Sequence, residues 1–418
     1  IRKVLPLAGK LGVTIAIENV WNNFLLSPLE AARYIDQFNS PFVKAYFDCG
    51  NVLVIGWPEQ WIRILETRSV ECQVMTFESA ALQRVIYAEG RRTEKFLALA
   101  RCILQQFRRV TALRRQWDVV FLFRELLPVG PPVLEWLLVR KGMPVVYDFD
   151  DAIFLTNVSE ANRRFAWLKQ PKKVGAICRM SAHVIVGNSY LQSYAQRYTP
   201  HVSVVPTTID TERYTVKAGV AIQGQPVIGW SGSLTTSQHL RMLLPVLQAV
   251  KRRYDFRLKV IGGEVPSIAG LDIDCRPWRE DTEVEDLQSV DIGIMPLPDD
   301  PWSRGKCGLK ALQCMAVGVP TVASPVGVNT DIIQDGRNGF LASTEQEWVE
   351  RLSRLLTDEG LRQTFACEGR KTVEERYSAA VQAPRVLEIL ERICGRHPSN
   401  RSGPARWEEA VILDGQRA

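Results

Sequence analysis

The chain has 418 residues, of which 46% are hydrophobic and 23% charged, and its net charge is +6 at pH 7. This composition is typical of a soluble globular α/β protein with two to three domains, and no internal repeat indicates a solenoid. The nine cysteines form no zinc-type cluster and no apolar run reaches the ~20 residues of a membrane-spanning helix, so we expect a cytoplasmic protein without a nucleic-acid partner.

The N-terminal segment has two strand-like runs, residues 13–22 and 43–52, around a helix predicted over residues 28–37. Each run contains an acid, Glu18 or Asp48, as in a βαβ piece of a barrel. Residues 1–66 resemble the sugar phosphate isomerase/epimerase family, whose xylose isomerase-like TIM barrel binds a divalent metal through such acids. Because two carboxylates cannot complete a metal site, we expect a partial, vestigial fragment without a metal. Residue 1 is Ile rather than Met, and we expect this end to be cut or misjoined.

Residues 91–117 form a basic segment, with eight arginines and lysines against Glu94 alone. Its apolar residues recur at helical spacing. Two interpretations remain open: a helix that packs on its own sheet with a solvated outer face, or a peripheral contact with the inner face of an anionic membrane.

Strands alternate with helices over residues 70–205, which predicts a Rossmann-like first domain with a parallel sheet. Polar residues follow its strands: Glu125 after residues 118–123, Asp150 and Asp151 after residues 145–148, and Asn188 after residues 182–187. We expect all four in an acceptor-side cleft. The acids at 148, 150 and 151 could instead hold a metal, or could cap a helix and pair with arginines such as Arg124. Asn188 could equally cap the next helix.

Residues 206–393 repeat the rhythm with strands at 227–230, 256–261, 291–295 and 321–323, which predicts a second doubly wound domain. Helices are expected over residues 237–254 and 309–316. Residues 204–226 have the composition of a linker between the two domains. Residues 394–418 show no sustained periodicity, so we expect a disordered tail.

Two loops of the second domain have the composition of a diphosphate site. Ser231, Gly232 and Ser233 join a strand to a helix, where small residues let backbone N–H groups approach an anion. Arg304, Lys306 and Lys310 cluster around Gly308 at the start of another helix. The helix dipole disfavours cations there, so their presence favours a bound anion. Glu264 follows a strand at the same sheet edge, where it could be a ligand or a solvated loop residue.

The segments IGWSGS, GKCGLKALQCMAVGVPTVASPVGVN and DGRNGFLA resemble the donor-binding domain of glycosyltransferase family 4, which has the GT-B architecture. The segment VYDFDDAIF resembles the same family. The resemblance implies an enzyme that transfers a sugar from a nucleoside-diphosphate sugar to a glycan or lipid-linked acceptor with retention, without a metal cofactor. The donor would contact Ser231, Gly232, Ser233, Glu264, Lys306, Gly308 and Gln313, and catalysis would rest on Lys306, Lys310 and Arg304.

Two departures from the family bear on activity. Its two glutamates, spaced Glu-x7-Glu, are replaced here by Gly305 and Gln313, and nothing upstream of Cys72 matches the first βα unit. We therefore expect the first sheet to lack a strand. Two other functions remain open: a nucleotide-sugar-binding protein without turnover, and a metal-dependent sugar isomerase acting through the N-terminal fragment.

Overall fold

The computed structural model describes residues 15–18, 43–46, 66, 72–76, 92–113, 118–127, 129–155, 170–222, 224–233, 236–266, 270–395 and 410–414. The chain divides into two compact units, Ile1–Arg63 and Ile64–Ala418. In the smaller unit, strand β1 (Ile15–Glu18) pairs in parallel with β2 (Val43–Tyr46). Parallel pairing agrees with the predicted βαβ pattern, while Asp48 lies outside the described residues.

The larger unit begins with the elements of the first domain. In chain order they are β3 (Cys72–Thr76), α1 (Arg92–Ala112), β4 (Val119–Phe123), α2 (Val133–Arg140), β5 (Val145–Phe149), α3 (Lys173–Met180), β6 (His183–Val186), α4 (Ser189–Ala195) and β7 (Val202–Val204).

The second domain follows, and the chain then ends in helices and one further strand. The elements are β8 (Val227–Ser231), α5 (Ser237–Met242), α6 (Leu244–Lys251), β9 (Arg257–Ile261), β10 (Asp272–Arg276), α7 (Glu283–Gln288), β11 (Ile292–Met295), α8 (Pro301–Arg304), α9 (Leu309–Ala316), β12 (Thr321–Ala323), α10 (Asn329–Ile332), β13 (Phe340–Leu341), α11 (Glu345–Thr357), α12 (Glu359–Thr372), a π-helical turn (Val373–Tyr377), α13 (Ala379–Ile393) and β14 (Ala410–Asp414).

Two parallel sheets of six strands each organise the larger unit. Their strand orders are β3-β14-β4-β5-β6-β7 and β10-β9-β8-β11-β12-β13. The interior strands are buried apolar runs, as expected of sheets that are covered on both faces. The chain therefore has the GT-B arrangement of two Rossmann-like sheets that the sequence predicts, and the carboxyl ends of its parallel strands define where loops can form a cleft.

Strand β14 corrects two predictions. Residues Ala410–Asp414 pair in parallel with both β3 and β4, so the expected disordered tail is wrong for this segment. The first sheet consequently has six strands among the described residues. We expected it to lack a strand, but β14 from the C-terminal segment lies between β3 and β4. The sequence AVILD is a short apolar run followed by an acid, which is the pattern of a buried parallel strand but is too short to stand out from local composition.

The helix predicted over residues 237–254 is in fact two helices that meet at Leu243. Pro245 lies in the first turn of α6, where its missing N–H costs nothing, whereas in one continuous helix the same residue would remove a hydrogen bond. By contrast, α9 and β12 have the predicted bounds. The break shortens α5 to Ser237–Met242.

Helix α1 has one buried face and one exposed face. Cys102 and Val110 are buried in the core of the first domain, as the packed-helix interpretation predicts. On the opposite side, Phe96, Leu97 and Leu104 are 71%, 55% and 53% exposed. No helix in the described part of the chain is long and apolar enough to cross a membrane.

Candidate functional site

The loop of residues 305–307 in the second domain contacts the carboxyl ends of β5 and β6 in the first. Asn188 follows β6, and its Oδ1 accepts a hydrogen bond from the backbone N–H of Leu191, so it caps α4 as one of the two interpretations predicted. Its Nδ2 donates to the carbonyl oxygens of Gly305 and Lys306, both at 3.1 Å. Asn188 therefore joins the two domains, and its amide is already fully engaged by the protein.

Small residues make this approach possible. A Cβ on Gly305 would lie 2.6 Å from the Cβ of Ala152, and a Cβ on Gly187 would lie 2.2 Å from Cys307 Sγ. The Cys307 thiol is buried and donates a hydrogen bond to the carbonyl oxygen of Asp150 at 3.0 Å. Close packing between the two domains thus leaves no room for a side chain at position 305, so a glycine fits there and a glutamate does not.

An ion-pair cluster lies on the first-domain side of the same contact. Arg124 directly follows β4 and has a φ of 57°, in the left-handed region, a conformation that costs about 1–2 kcal/mol in a non-glycine residue. Its guanidinium donates to Asp150 Oδ1 and Asp151 Oδ2 at 2.7 and 2.8 Å. These contacts confirm the arginine-pairing interpretation of the acids for Asp150 and Asp151.

Burial and neighbouring charges shift the pKa of two acids here, Asp148 and Asp150. Burial raises the pKa of Asp148 well above its ordinary value, and the negative charge of Asp150 raises it further. Burial also raises the pKa of Asp150, although the Arg124 charge acts in the opposite direction. A strained arginine and three crowded carboxyl groups at strand ends are costly for stability, which is typical of a functional cleft.

The β8–α5 turn presents small residues and one unsatisfied hydroxyl. Ser231 Oγ is buried and has no hydrogen-bond partner among the described residues. Gly232 packs so closely on Trp230 that a Cβ would lie 2.2 Å from the indole ring. Ser233 accepts the backbone N–H of Thr236 at 3.0 Å, which closes the turn. Residues 231–233, the described part of this turn, therefore follow β8 with small side chains, and their role in binding an anion stays a prediction.

The three predicted cations are in different surroundings. Arg304 is exposed and paired with Asp299 at 2.6 Å, so a ligand would have to compete with a carboxylate for it. Lys306 is only partly exposed, with its Nζ 3.9 Å from Asp151 Oδ1 and 5.9 Å from the Trp302 ring centre. Of these two, Lys306 is the one placed at the contact between the domains.

Lys306 is also electrostatically linked to the β8–α5 turn. His239 is buried in α5, and burial lowers its pKa, with a further lowering by the positive charge of Lys306. The charge of Lys306 thus acts on α5, the helix that follows the glycine turn.

Helix α9 begins at Gly308, whose φ of 73° is in the left-handed region. A Cβ there would also lie 2.2 Å from Ile332 Cδ1. Lys310 follows in the first turn, and its Nζ donates to Gln313 Oε1 at 3.2 Å. Within the described residues Lys310 forms no ion pair with a carboxylate, and burial lowers its pKa. A poorly solvated ammonium group at a helix N-terminus is a good binding group for an anion.

Gln313 is buried and its amide group is held by a network that sequence reasoning missed. Its Nε2 donates to Tyr214 OH at 2.8 Å and to Glu283 Oε1 at 2.9 Å. Both amide hydrogens therefore have protein partners, and only the oxygen retains capacity for a ligand. Tyr214, Glu283 and Gln313 come from distant segments, so no local pattern in the sequence could have identified the group.

The remaining predicted residues lie at the margins. Glu125 Oε1 is 3.5 Å from the buried Lys173 Nζ, an ion pair inside the first domain. The side chain of Glu264 is exposed, while its backbone N–H bonds Ser237 Oγ at 3.1 Å. Among the described residues, no group of three or more His, Cys, Asp or Glu side chains is arranged to hold a metal ion.

Comparison with known proteins gives two family matches on the chain. Residues 225–358 match the Glycosyl transferases group 1 family, and residues 1–73 match the Xylose isomerase-like TIM barrel family. The D-inositol 3-phosphate glycosyltransferase of Corynebacterium urealyticum is 27% identical over 225 residues, covering 47% of this chain and 50% of that protein. The chain thus spans about half the length of the curated relatives it matches.

Solved structures share the fold at low sequence identity. A glycosyltransferase from Rickettsia africae has a TM-score of 0.56 at 12% identity, covering 81% of this chain and 93% of that one. The Anabaena protein HepE, in complex with UDP and glucose, has a TM-score of 0.50 at 14% identity, covering 86% and 88%. The chain has the GT-B fold, and its residues 225–358, which contain the glycine turn, the basic loop and α9, are similar to the Glycosyl transferases group 1 family.

Proposed function

We propose that the chain transfers a sugar from a nucleoside-diphosphate sugar to an acceptor, with retention at the anomeric carbon. Lys306 and Lys310 lie on either side of Gly308, the residue before the first turn of α9, and Lys310 has no carboxylate partner in the described part of the chain. A site with clustered positive charge and N–H groups at a helix start is suited to the diphosphate of such a donor.

In this proposal, the protein stabilises the leaving group. The bond between the anomeric carbon and the diphosphate oxygen breaks, a bond to the acceptor oxygen forms on the same face, and the acceptor proton passes to the diphosphate. Lys306, Lys310 and the first N–H groups of α9 offset the charge that develops on the diphosphate. Arg304 could add a third cation if Asp299 releases it. Such a reaction requires neither a protein nucleophile nor a metal.

We propose that the donor lies along Ser231, Gly232, Ser233 and Gly308, with the acceptor towards the first domain. Ser231 Oγ, which lacks a partner among the described residues, is available to the donor. Glu264 is exposed at the same sheet edge, and Gln313 can offer only its oxygen.

We propose that Glu125, Asp150, Asp151 and Asn188 face the acceptor. Asp151 is 3.9 Å from Lys306 Nζ, and Asn188 contacts the loop that contains Lys306. A glycan or lipid-linked acceptor is proposed from the family resemblance. We also propose the division into residues 1–66, 70–205 and 206–393 as the fragment, the acceptor-side domain and the donor domain.

Calorimetric titration with UDP-, GDP-, ADP- and dTDP-sugars tests the proposal, and UDP-sugars come first because HepE was solved with UDP. We expect micromolar binding of one donor, and a loss of at least about tenfold in Lys306→Ala, which removes a charge-assisted contact. Lys371→Ala is the control, because Lys371 is an exposed lysine on α12. A folded wild-type chain that binds none of these donors would refute the proposal.

A binding protein without turnover is a second candidate, favoured by Gly305, which places no side chain near the sugar and packs on Ala152 instead. Donor binding without release of nucleoside diphosphate in the presence of candidate acceptors would support it. The isomerase candidate rests on the family match of residues 1–73. It requires metal-dependent aldose–ketose interconversion, which can be measured directly.

We also propose that α1 contacts an anionic membrane surface through its outer stripe. Leu97, Arg101, Leu104 and Arg108 lie on one exposed face at helical spacing. The chain should co-sediment with phosphatidylserine vesicles more than with phosphatidylcholine vesicles, and Leu97→Ser combined with Leu104→Ser should abolish the difference. Val381→Ser, at a 43% exposed valine of α13, is the control. Equal sedimentation with both lipids would rule the contact out.

A further inference from the structure

Glu283 is a buried carboxylate with three hydrogen-bond donors directed at it. Tyr214 OH donates to Oε2 at 2.6 Å, while Trp278 Nε1 and Gln313 Nε2 donate to Oε1 at 2.8 and 2.9 Å. Arg213 Nη2 lies 4.0 Å from Oε2. A buried carboxylate requires such partners, since an unsatisfied one would be strongly destabilising.

These contacts determine which way the Gln313 amide points. Its NH2 group lies between two acceptors, Tyr214 OH and Glu283 Oε1, and its oxygen faces Lys310 Nζ. The flipped amide would place its oxygen against the carboxylate and its NH2 group against the ammonium group. Both contacts would be repulsive, so Glu283 fixes one orientation of Gln313.

The orientation of Gln313 in turn fixes Lys310. Its Nζ donates to the Gln313 oxygen, and within the described residues no carboxylate forms an ion pair with it. A long lysine side chain has several rotamers, and a single well-placed acceptor restricts which of them it occupies. Lys310 is consequently held in place without being neutralised, as a group that binds an external anion should be.

We propose that Glu283 is a positioning residue of the donor site: through Tyr214 and Gln313 it holds Lys310 in place for the diphosphate of the donor. Glu283 itself is buried and is hydrogen-bonded to Gln313, which accepts the hydrogen bond from Lys310. The inference rests on the proposed function for the identity of the anion, but the coupling between Glu283 and Lys310 is a property of the protein alone.

Charged groups around Lys310 come from several elements. Glu283 on α7 raises the pKa of Lys310, whereas burial lowers it and Lys306, in the loop before α9, lowers it further. Cys314 on α9 acts in the same direction as Glu283. Arg213 and Tyr214, from the segment before β8, act through Glu283. Replacing Glu283 by Gln removes the acidic member of this group and leaves the basic ones.

The experiment has two readouts on Glu283→Gln. First, NMR titration of the Lys310 side chain in 15N,13C-lysine-labelled protein, assigned with Lys310→Arg, should show a lower pKa than in the wild type. Second, calorimetry with UDP should show binding about tenfold weaker at neutral pH. Glu285→Gln is the matched control, because Glu285 is an exposed acid on the same helix. Tyr214→Phe, which removes one hydroxyl and no charge, provides a second variant if Glu283→Gln does not fold, with weaker UDP binding expected.

The outcomes separate the inference from the proposed function. A Lys310 pKa and a UDP affinity that both stay at wild-type values in Glu283→Gln would overturn the positioning role, even if Lys306→Ala abolishes donor binding. A lower Lys310 pKa together with weaker UDP binding supports it. If Glu283→Gln lowers the Lys310 pKa but the wild-type protein binds no nucleotide, the result would support the coupling and refute the donor site.

Discussion

The contact between Gly187 and Cys307 gives a test of how the two domains meet. Gly187 follows β6 in the first domain, and Cys307 precedes α9 in the second. A methyl group on Gly187 would lie 2.2 Å from Cys307 Sγ but 3.3 Å from Cys307 Cβ. The sulfur is therefore the main obstacle, and removing it should make room for the methyl group.

The expected energies follow from this geometry. Gly187→Ala alone should cost about 1–3 kcal/mol, as for overpacking of a close-packed interior. Cys307→Ala alone should cost about 1 kcal/mol, since it removes one buried atom and its contact with the Asp150 carbonyl oxygen. In the double variant, the new methyl group occupies the space of the sulfur. We expect it to be more stable than Gly187→Ala by about 1–2 kcal/mol.

Urea unfolding of the four proteins of this cycle, followed by circular dichroism, measures the coupling. Gly293→Ala combined with Cys307→Ala is the matched control. A Cβ on Gly293 would lie 2.7 Å from the sulfur of a different cysteine, Cys314, within the second domain. That pair should be additive. If Gly187→Ala and Cys307→Ala also add without rescue, the two residues do not touch and the interdomain contact described here is incorrect.

Three further predictions concern the donor site and the first sheet. Gly308→Ala should lower the free energy of unfolding by about 1–2 kcal/mol, because an alanine must adopt a φ of 73°. Donor affinity should also fall. An unchanged donor affinity in calorimetry would contradict a role for this helix start. Because burial lowers the folded-state pKa of Lys310, the unfolded chain binds its proton more tightly. Between the folded pKa and the ordinary lysine value, ligand-free stability should therefore rise with pH while donor affinity falls, and both trends should be absent in Lys310→Met. Removal of residues 396–418 deletes β14 and should cost about 1 kcal/mol for each backbone hydrogen bond lost to β3 and β4, so an unchanged melting temperature would refute the pairing.

The sequence determined the fold class and most elements of the two domains. Buried parallel strands are short apolar runs bounded by turn residues, so β4, β5, β8 and β12 were identified within one or two residues. Local chemistry was sufficient for these strands. The anion site at the β8–α5 turn and the basic loop before α9 was predicted from composition and stays a prediction.

Strand β14 and the division of the helix at Leu243 were not predicted correctly. The first depends on pairing with strands more than 280 residues away in sequence, a non-local interaction that five residues do not specify by themselves. The second depends on Pro245, whose position in the first turn of α6 was overlooked. The first error concerns the number of strands in the first sheet, and the second concerns one helix of the second domain. Neither changes the class of the fold.

Only the tertiary structure determined how the candidate site is assembled. Ala152 occupies the space that a side chain at Gly305 would need. The Asn188 side-chain amide donates a hydrogen bond to the carbonyl oxygen of Gly305 and so links the two domains. Gln313 is held by Glu283 and Tyr214, which lie 30 and 99 residues away in sequence. The sequence by itself supplied the cations and the loops that can hold an anion. The structure decided which polar groups are already hydrogen-bonded, and that Lys310 has no carboxylate partner among the described residues. These properties depend on contacts between segments that are distant in the chain, because burial and hydrogen bonding exist only after the chain has folded.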